Sequence, residues 1–412
     1  MCVSIQTTRS NMVDDSSGDD EDDILIIFSI FAVLLTLVHA GYLAVTREPS
    51  LFKQPMIWDG IIDKYADRAT FHRHLRMRPE SFHKLLSFIR DELEVDQDMA
   101  ALRGGAILPE LRLYCTLRWL SGGSYSDICM YVGISQASFY RIVWQTIVHA
   151  IVDCHSLQMK FPQSEEECII AAEGFSGISR GRATTNCVGV CDGFLMEIRT
   201  PPGAIVGNVR SYFSGHYQRN GVNCQAVSDH LSRFIYFAVA GPGVMGNNTA
   251  VRACDLFDLI QNLPVPYCVI GDAAYQPTEH LVSMYYGSDR KKKEYDNFNF
   301  FASQLCIRVE MSFGLMTKKW GILWRPLNIH ISNVKYLALA IAMLHNYCIN
   351  ERIDDAAGGH PDPVVQANIH DRGQDNCVSE ATAELEAASN SVNRWSVNRE
   401  QMVICIENLG LE

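Results

Sequence analysis

Metal-ligand cysteine pairs are missing from this sequence. Its 14 cysteines run from Cys2 to Cys405 with no CxxC step, and the nearest spacing, Cys187 to Cys191, has no His/Cys pair at a matching distance. That pattern argues against a structural zinc module, and so few thiols in so long a chain rule out a disulfide scaffold. Reduced, mostly buried thiols of an intracellular protein are expected instead. Glycine and proline, 28 and 14 of 412 residues, are too sparse for a collagen-like or wholly disordered chain, and no internal repeat is present. A net positive charge is lacking too, the formal total being -12. The deficit is local: residues 1–23 carry -6 and residues 353–412 carry -8, which leaves +2 on the 329 residues between them. A near-neutral body with acidic tails does not exclude DNA or RNA as a partner. What is abundant is apolar side chain, 48% of the residues, ample for a sizeable core and for two or three modules.

Only one long uncharged run occurs, residues 24–46, whose 23 positions are enough to span a bilayer. Ser29, Thr36, His39 and Gly41 dilute it, and the acidic DDSSGDDEDD before it is the opposite of a secretory peptide's basic leader. The expected reading is a helix buried against the protein itself or a partner, with the acids favoring its N-terminus. A membrane anchor is the weakest alternative.

Four regions follow from the patterning: an acidic tail plus apolar helix (1–50), a helical region (51–160), an α/β domain (161–352), and an acidic linker with a short C-terminal helix (353–412). Within 66–92 basic residues alternate with apolar ones, and Phe82, Leu85, Leu86 and Ile89 after Pro79 have helical spacing. Such a helix offers either a solvated face or a phosphate-contacting one. Residues 109–150 have the grammar of a helix-turn-helix: an apolar helix, a short second helix with Ile128 and Val132 inward, a turn at Gly133, and a third helix capped by Ser135. Gln136, Ser138 and Arg141 then stand near the exposed N-terminal part of that third helix, where a major groove is read.

From residue 186 short strands appear: NCVGVCD, FLMEIRT, VNCQAVSD and RFIYFAVA. A helix over about 250–262, a buried strand PYCVIGD and a helix from about Gln304 to Lys319 complete a β-β-β-β-α-β-α order. The fold class is therefore α/β, a mixed sheet with flanking helices, preceded by an all-α helix-turn-helix region.

Asp192 and Asp272 each terminate an apolar strand, and Glu310 lies on an otherwise apolar helix. Carboxylates held at strand ends suit hard divalent cations, and three converging acids repel one another unless a cation neutralises them. That pattern points to two-metal phosphoryl chemistry. For each acid a plainer role exists: a turn or cap for the aspartates, an ion pair with Arg308, Lys318 or Lys319 for Glu310. Asp229, also at a strand end, is a fourth candidate or a turn residue.

The motifs VGVCDGF, GPGVMGNNTAVRAC, VIGDAAY, RVEMSFGLMTKKWGIL and ALAIAMLHNYCINE, in this order over about residues 76–352, resemble the Harbinger-type transposases and their nuclease relatives in the DDE superfamily. The resemblance implies an RNase H-like catalytic domain behind a helix-turn-helix, with catalytic and metal-binding Asp192, Asp272 and Glu310, cutting DNA with Mg²⁺ or Mn²⁺. Relatives also carry an apolar helix near the N-terminus. Asn247 stands where relatives usually have a metal-binding Asp, and an amide oxygen there binds a cation more weakly than a carboxylate. The alternative is thus a non-catalytic DNA-binding or adaptor protein. The basic run Arg290, Lys291, Lys292 and Lys293 is a further candidate DNA contact and a weak nuclear-import signal. DNA is the expected partner and the nucleus the expected site of action; a Myb-like DNA-binding protein and a second copy of the chain are further candidate partners.

Overall fold

A computed structural model describes residues 28–36, 55–62, 68–95, 105–357 and 397–409. Residues 28–36, which are helical, belong to a unit ending at Lys53; the remainder forms a second unit from Gln54 onward. Among the described residues no helix is long and apolar enough to cross a membrane. The rest of the 24–46 run, and the acidic linker up to residue 396, lie outside the described residues.

The second unit begins with α1 (Trp58–Ile62), α2 (Arg68–Leu75) and α3 (Pro79–Ile89). Pro79 at the first turn of α3 needs no hydrogen-bond donor there, and Phe82, Leu85, Leu86 and Ile89 form the helix's buried stripe. Where a helix-turn-helix was expected, three helices follow, α4 (Pro109–Leu120), α5 (Tyr125–Val132) and α6 (Gln136–Arg141). Ser124 caps α5, and Gly133 leaves it at φ 76°, a left-handed turn. Ser135 caps α6 by accepting from the Ser138 N–H at 3.0 Å. The chain continues through a π-helical turn, Ile142–Ile147, into α7 (Val148–Asp153). A capping box of Ser164 and Glu167 starts α8 (Glu165–Ile178).

A mixed sheet is built from β1 (Cys187–Glu197), β2 (Phe213–Ser214), β3 (Arg219–Ser228), β4 (Phe234–Pro242), β5 (Cys268–Gly271) and β6 (Leu281–Ser283). Its order is β4-β3-β1-β5-β6, with β2 extending β3 at its start; β1, β3 and β4 are antiparallel, whereas β5 and β6 run parallel to β1. Between β4 and β5 lie α9 (Asn247–Ala253) and α10 (Leu256–Gln261). The long helices α11 (Lys293–Lys319) and α12 (Ile331–Ala357) follow β6, and α13 (Val397–Asn408) comes last.

Several elements differ from expectation for identifiable reasons. NCVGVCD and FLMEIRT are one strand, because Asp192-Gly193 runs straight on without turning. The helix expected over 250–262 breaks at Cys254 and Asp255, where the Asp255 carboxylate accepts the Tyr236 hydroxyl. Helix α11 starts eleven residues before Gln304, since Tyr295, Phe298 and Phe301 bury on one face and override a poor helical propensity. Strand β6 has three residues, too few for a periodic signal.

Two apolar layers flank the sheet. One packs Val190, Met196 and Ala226 against Phe313, Met316 and Leu344 of the long helices and continues without a break into the helix-turn-helix region through Phe139 and Val143. The other packs Val188, Val227 and Val269 against Cys168, Val251 and Ile260 of α8 to α10. Each large apolar side chain sealed in these layers contributes roughly 1.5–3 kcal/mol. The sheet is thereby a rigid floor. All described cysteines are free thiols.

Candidate functional site

Strands β1 and β5 place the two aspartates. Their parallel register pairs Val190 with Ile270 and Cys191 with Gly271, so Asp192 and Asp272 come next on adjacent strands. Asp272 ends its strand as expected. Asp192 does not: it lies within β1, at the point where that strand parts from β5 and continues alongside β3. Each carboxylate accepts a local backbone N–H, Asp192 Oδ1 from Gly193 at 2.6 Å and Asp272 Oδ1 from Ala274 at 3.0 Å.

Glu310 reaches the same place from α11. Phe313, one turn on, stacks on Phe194 of β1 with ring centroids 5.0 Å apart, which pins the helix over the strand. Glu310 is exposed, whereas Asp192 and Asp272 are half-buried. Burial pushes the Asp192 carboxyl well above its ordinary range, and the Asp272 and Glu310 charges push it further. Asp272 is raised by burial and by Glu310, and Glu310 by partial desolvation of its carboxyl. These three acids therefore share one field, and among the described residues Glu310 forms no ion pair with Arg308, Lys318 or Lys319. Among the described residues no three acidic, imidazole or thiol groups already stand at metal-ligand spacing. The donor set, all carboxylate oxygen and electrostatically frustrated, suits a hard divalent cation.

Asn247 also arrives here, at the start of α9. Its Nδ2 donates to Asp192 Oδ1 at 3.4 Å, while its Oδ1 accepts from Asn223 Nδ2 and Gln225 Nε2, each at 3.4 Å. Gly193 makes room for it, since a Cβ there would collide with the Asn247 amide. Behind it Gln225, fully buried, donates to Asn223 Oδ1 at 2.8 Å and accepts the Tyr275 hydroxyl at 2.7 Å. The chain of amides thus runs from Tyr275, three residues beyond Asp272, to Asp192. Asn223, Gln225 and Tyr275 escape a reading of the sequence; the available signal was two amides at period two in a strand otherwise made of buried apolar residues.

Asp229 is a turn residue. It accepts from the backbone of Leu231 and Arg233 and forms an ion pair with the Arg233 guanidinium at 2.7 Å. On α6, Gln136 and Arg141 are exposed and Ser138 is half-buried, its hydroxyl 2.9 Å from that of Ser135. Arg290, Lys291, Lys292 and Lys293 are exposed at the N-terminal end of α11. There Arg290 lies 4.0 Å from Asp296, and the Lys292 ammonium sits over the Tyr295 ring.

Residues 191–346, which contain Asp192, Asn247, Asp272 and Glu310, match the family model described as DDE superfamily endonuclease. The mixed sheet flanked by helices is the RNase H-like arrangement which that family implies. Nothing among curated proteins or solved structures matches the chain.

Proposed function

We propose that this member of the DDE superfamily of endonucleases and transposases cuts DNA phosphodiester bonds in a reaction dependent on Mg²⁺ or Mn²⁺. The observation that carries this reading is the shared field of Asp192, Asp272 and Glu310, three carboxyls from separate elements with raised proton affinities and, among the described residues, no cationic side chain paired to them. Asp192 and Asp272 would hold the ions from the sheet, and Glu310 would close the shell from the helix. Bound there, divalent ions lower the pKa of the attacking water or hydroxyl and stabilise the leaving oxygen. The sheet supplies rigidity: Gly193 and Ala274 backbone N–H groups fix one oxygen of each aspartate, which leaves the other for a ligand. Asp192→Ala should abolish Mg²⁺-dependent cleavage of DNA by the full chain, with circular dichroism and the unfolding midpoint preserved. Undiminished cleavage by that variant would contradict the assignment.

One observation favors a second reading, a DNA-binding protein with weakened chemistry. The Asn247 oxygen is engaged by Asn223 and Gln225, and the amide N–H faces Asp192, so this residue adds neither charge nor an open oxygen to the site. Asn247→Asp should tighten Mn²⁺ binding by adding a fourth carboxylate, read by calorimetry. A gain of cleavage in that variant over an inactive wild type would identify the second reading as correct.

A further inference from the structure

We infer that the seam between the N-terminal helices and the ends of α11 and α12 is a binding site for the phosphodiester backbone of a nucleic acid. The cleft there is lined by Arg76 and Arg78 from the α2–α3 junction, Lys319 from the last turn of α11, and Glu351 and Arg352 from α12. Among the described residues four cations and one acid line it. That acid is already engaged, Glu351 accepting from Lys84 Nζ and from the Ser81 hydroxyl, each at 2.7 Å.

The cations crowd one another at a cost. Arg76 is held below its ordinary pKa by burial and by the Arg118 charge. His74 is likewise lowered by burial and by Arg118, Arg73 and Arg76. Arg76 also takes a positive φ of 63°, uncommon for a side chain of its size, and its buried Nε has no hydrogen-bond partner. Part of this charge caps helices, since α2, α4 and α11 all end near here with basic residues in their last turns. Three helix C-termini supply about -1.5 charges in total. Arg76, Lys319 and Arg352 of the cleft, with the Arg118 charge beside Arg76, exceed that among the described residues, which favors an external anion.

Two features select a nucleic acid strand. Along α11, Lys319 of the cleft is nine residues from Glu310 of the acidic site, roughly 13 Å along the helix axis. That is the span of about three to four nucleotides at 3.4 Å each. Beside the cleft the Trp324 ring is 62% exposed, braced by its indole N–H on the Thr317 carbonyl and lying 5.9 Å from the Arg76 guanidinium. An aromatic face among cations is the combination that stacks a base while the backbone is held. By contrast, Lys293 at the other end of α11 is roughly 25 Å from Glu310.

The identity of the polymer rests on the proposed nuclease reading, but the test does not. Binding of a fluorescent DNA oligonucleotide to the full chain is measured in EDTA across a salt series, for the wild type and for the triple variant Arg76→Gln, Lys319→Gln, Arg352→Gln. The variant should bind about tenfold or more weakly and lose about two to three from the slope of log K against log salt. Trp324→Ala, which leaves the charges in place, should weaken binding with the slope unchanged. A folded triple variant with wild-type slope and affinity would overturn the proposal. So would loss of inorganic pyrophosphate binding with DNA binding intact, since the cleft would then take a small phosphate compound. Normal DNA binding at this seam without metal-dependent cleavage would contradict the nuclease reading alone.

Discussion

His345 of α12 is sealed in the apolar layer, its Nε2–H donating to the Ser232 carbonyl at 2.9 Å and its ring packed on Phe234. Burial lowers its pKa from 6.5 to about 4. Between those values the unfolded chain takes up a proton that the folded chain refuses, so the stability this residue contributes is complete above pH 6.5 and is lost as pH falls toward 4. The loss amounts to about 3 kcal/mol at most. His345→Gln should flatten the pH dependence of urea unfolding by that order across this window; an unchanged profile would place the acid sensitivity elsewhere. At this scale the sequence was informative wherever a charge interrupts an apolar run. Asp192, Asp272 and Glu310 stand out in VGVCDGF, VIGDAAY and IRVEMSFG because nothing apolar needs an acid there. Asn223 and Gln225 do not, since alternating polar residues in a strand look like a solvated face until a second layer is known to cover it.

Elements read from pattern were those with strong punctuation. Helices α5 and α6 were legible because Gly133 and Ser135 mark the turn and the cap in sequence as they do in space. Gly133→Ala forces a side chain into the left-handed region and should cost roughly 1–2 kcal/mol, read as a lowered unfolding midpoint. Equal stability would show that the turn relaxes to another geometry. What pattern missed were consequences of packing at a distance: β1 runs on through Gly193 because Asn247 fills the space a side chain would take, and α11 extends to Lys293 because aromatic residues find a core under them. The C-terminal segment read as a short helix, and the structure shows what ties it down. Asn398 donates to the Glu279 carbonyl, Glu400 accepts the Tyr285 hydroxyl, and the Arg399 guanidinium lies over the Tyr285 ring, which covers the β6 edge of the sheet.

On the scale of the molecule, the helix-turn-helix region and the α/β domain read as successive segments but share one continuous core from Phe82 to Leu344. That junction could not be seen in the sequence, because contacts such as the Tyr347 hydroxyl on the Ser81 carbonyl join residues 266 positions apart. It has a functional consequence, since the basic cleft exists only where the two segments meet. The acidic site, likewise, depends on three elements that only the sheet order brings together. Whether Asp192, Asp272 and Glu310 form a cation site is decided by calorimetric titration of Mg²⁺ and Mn²⁺ into the full chain, wild type against Asp272→Ala. The account predicts binding by the wild type, with proton release because raised carboxyls must ionise to ligate, and its loss in the variant. Binding of equal strength and stoichiometry in Asp272→Ala, with no proton release in either, would contradict it.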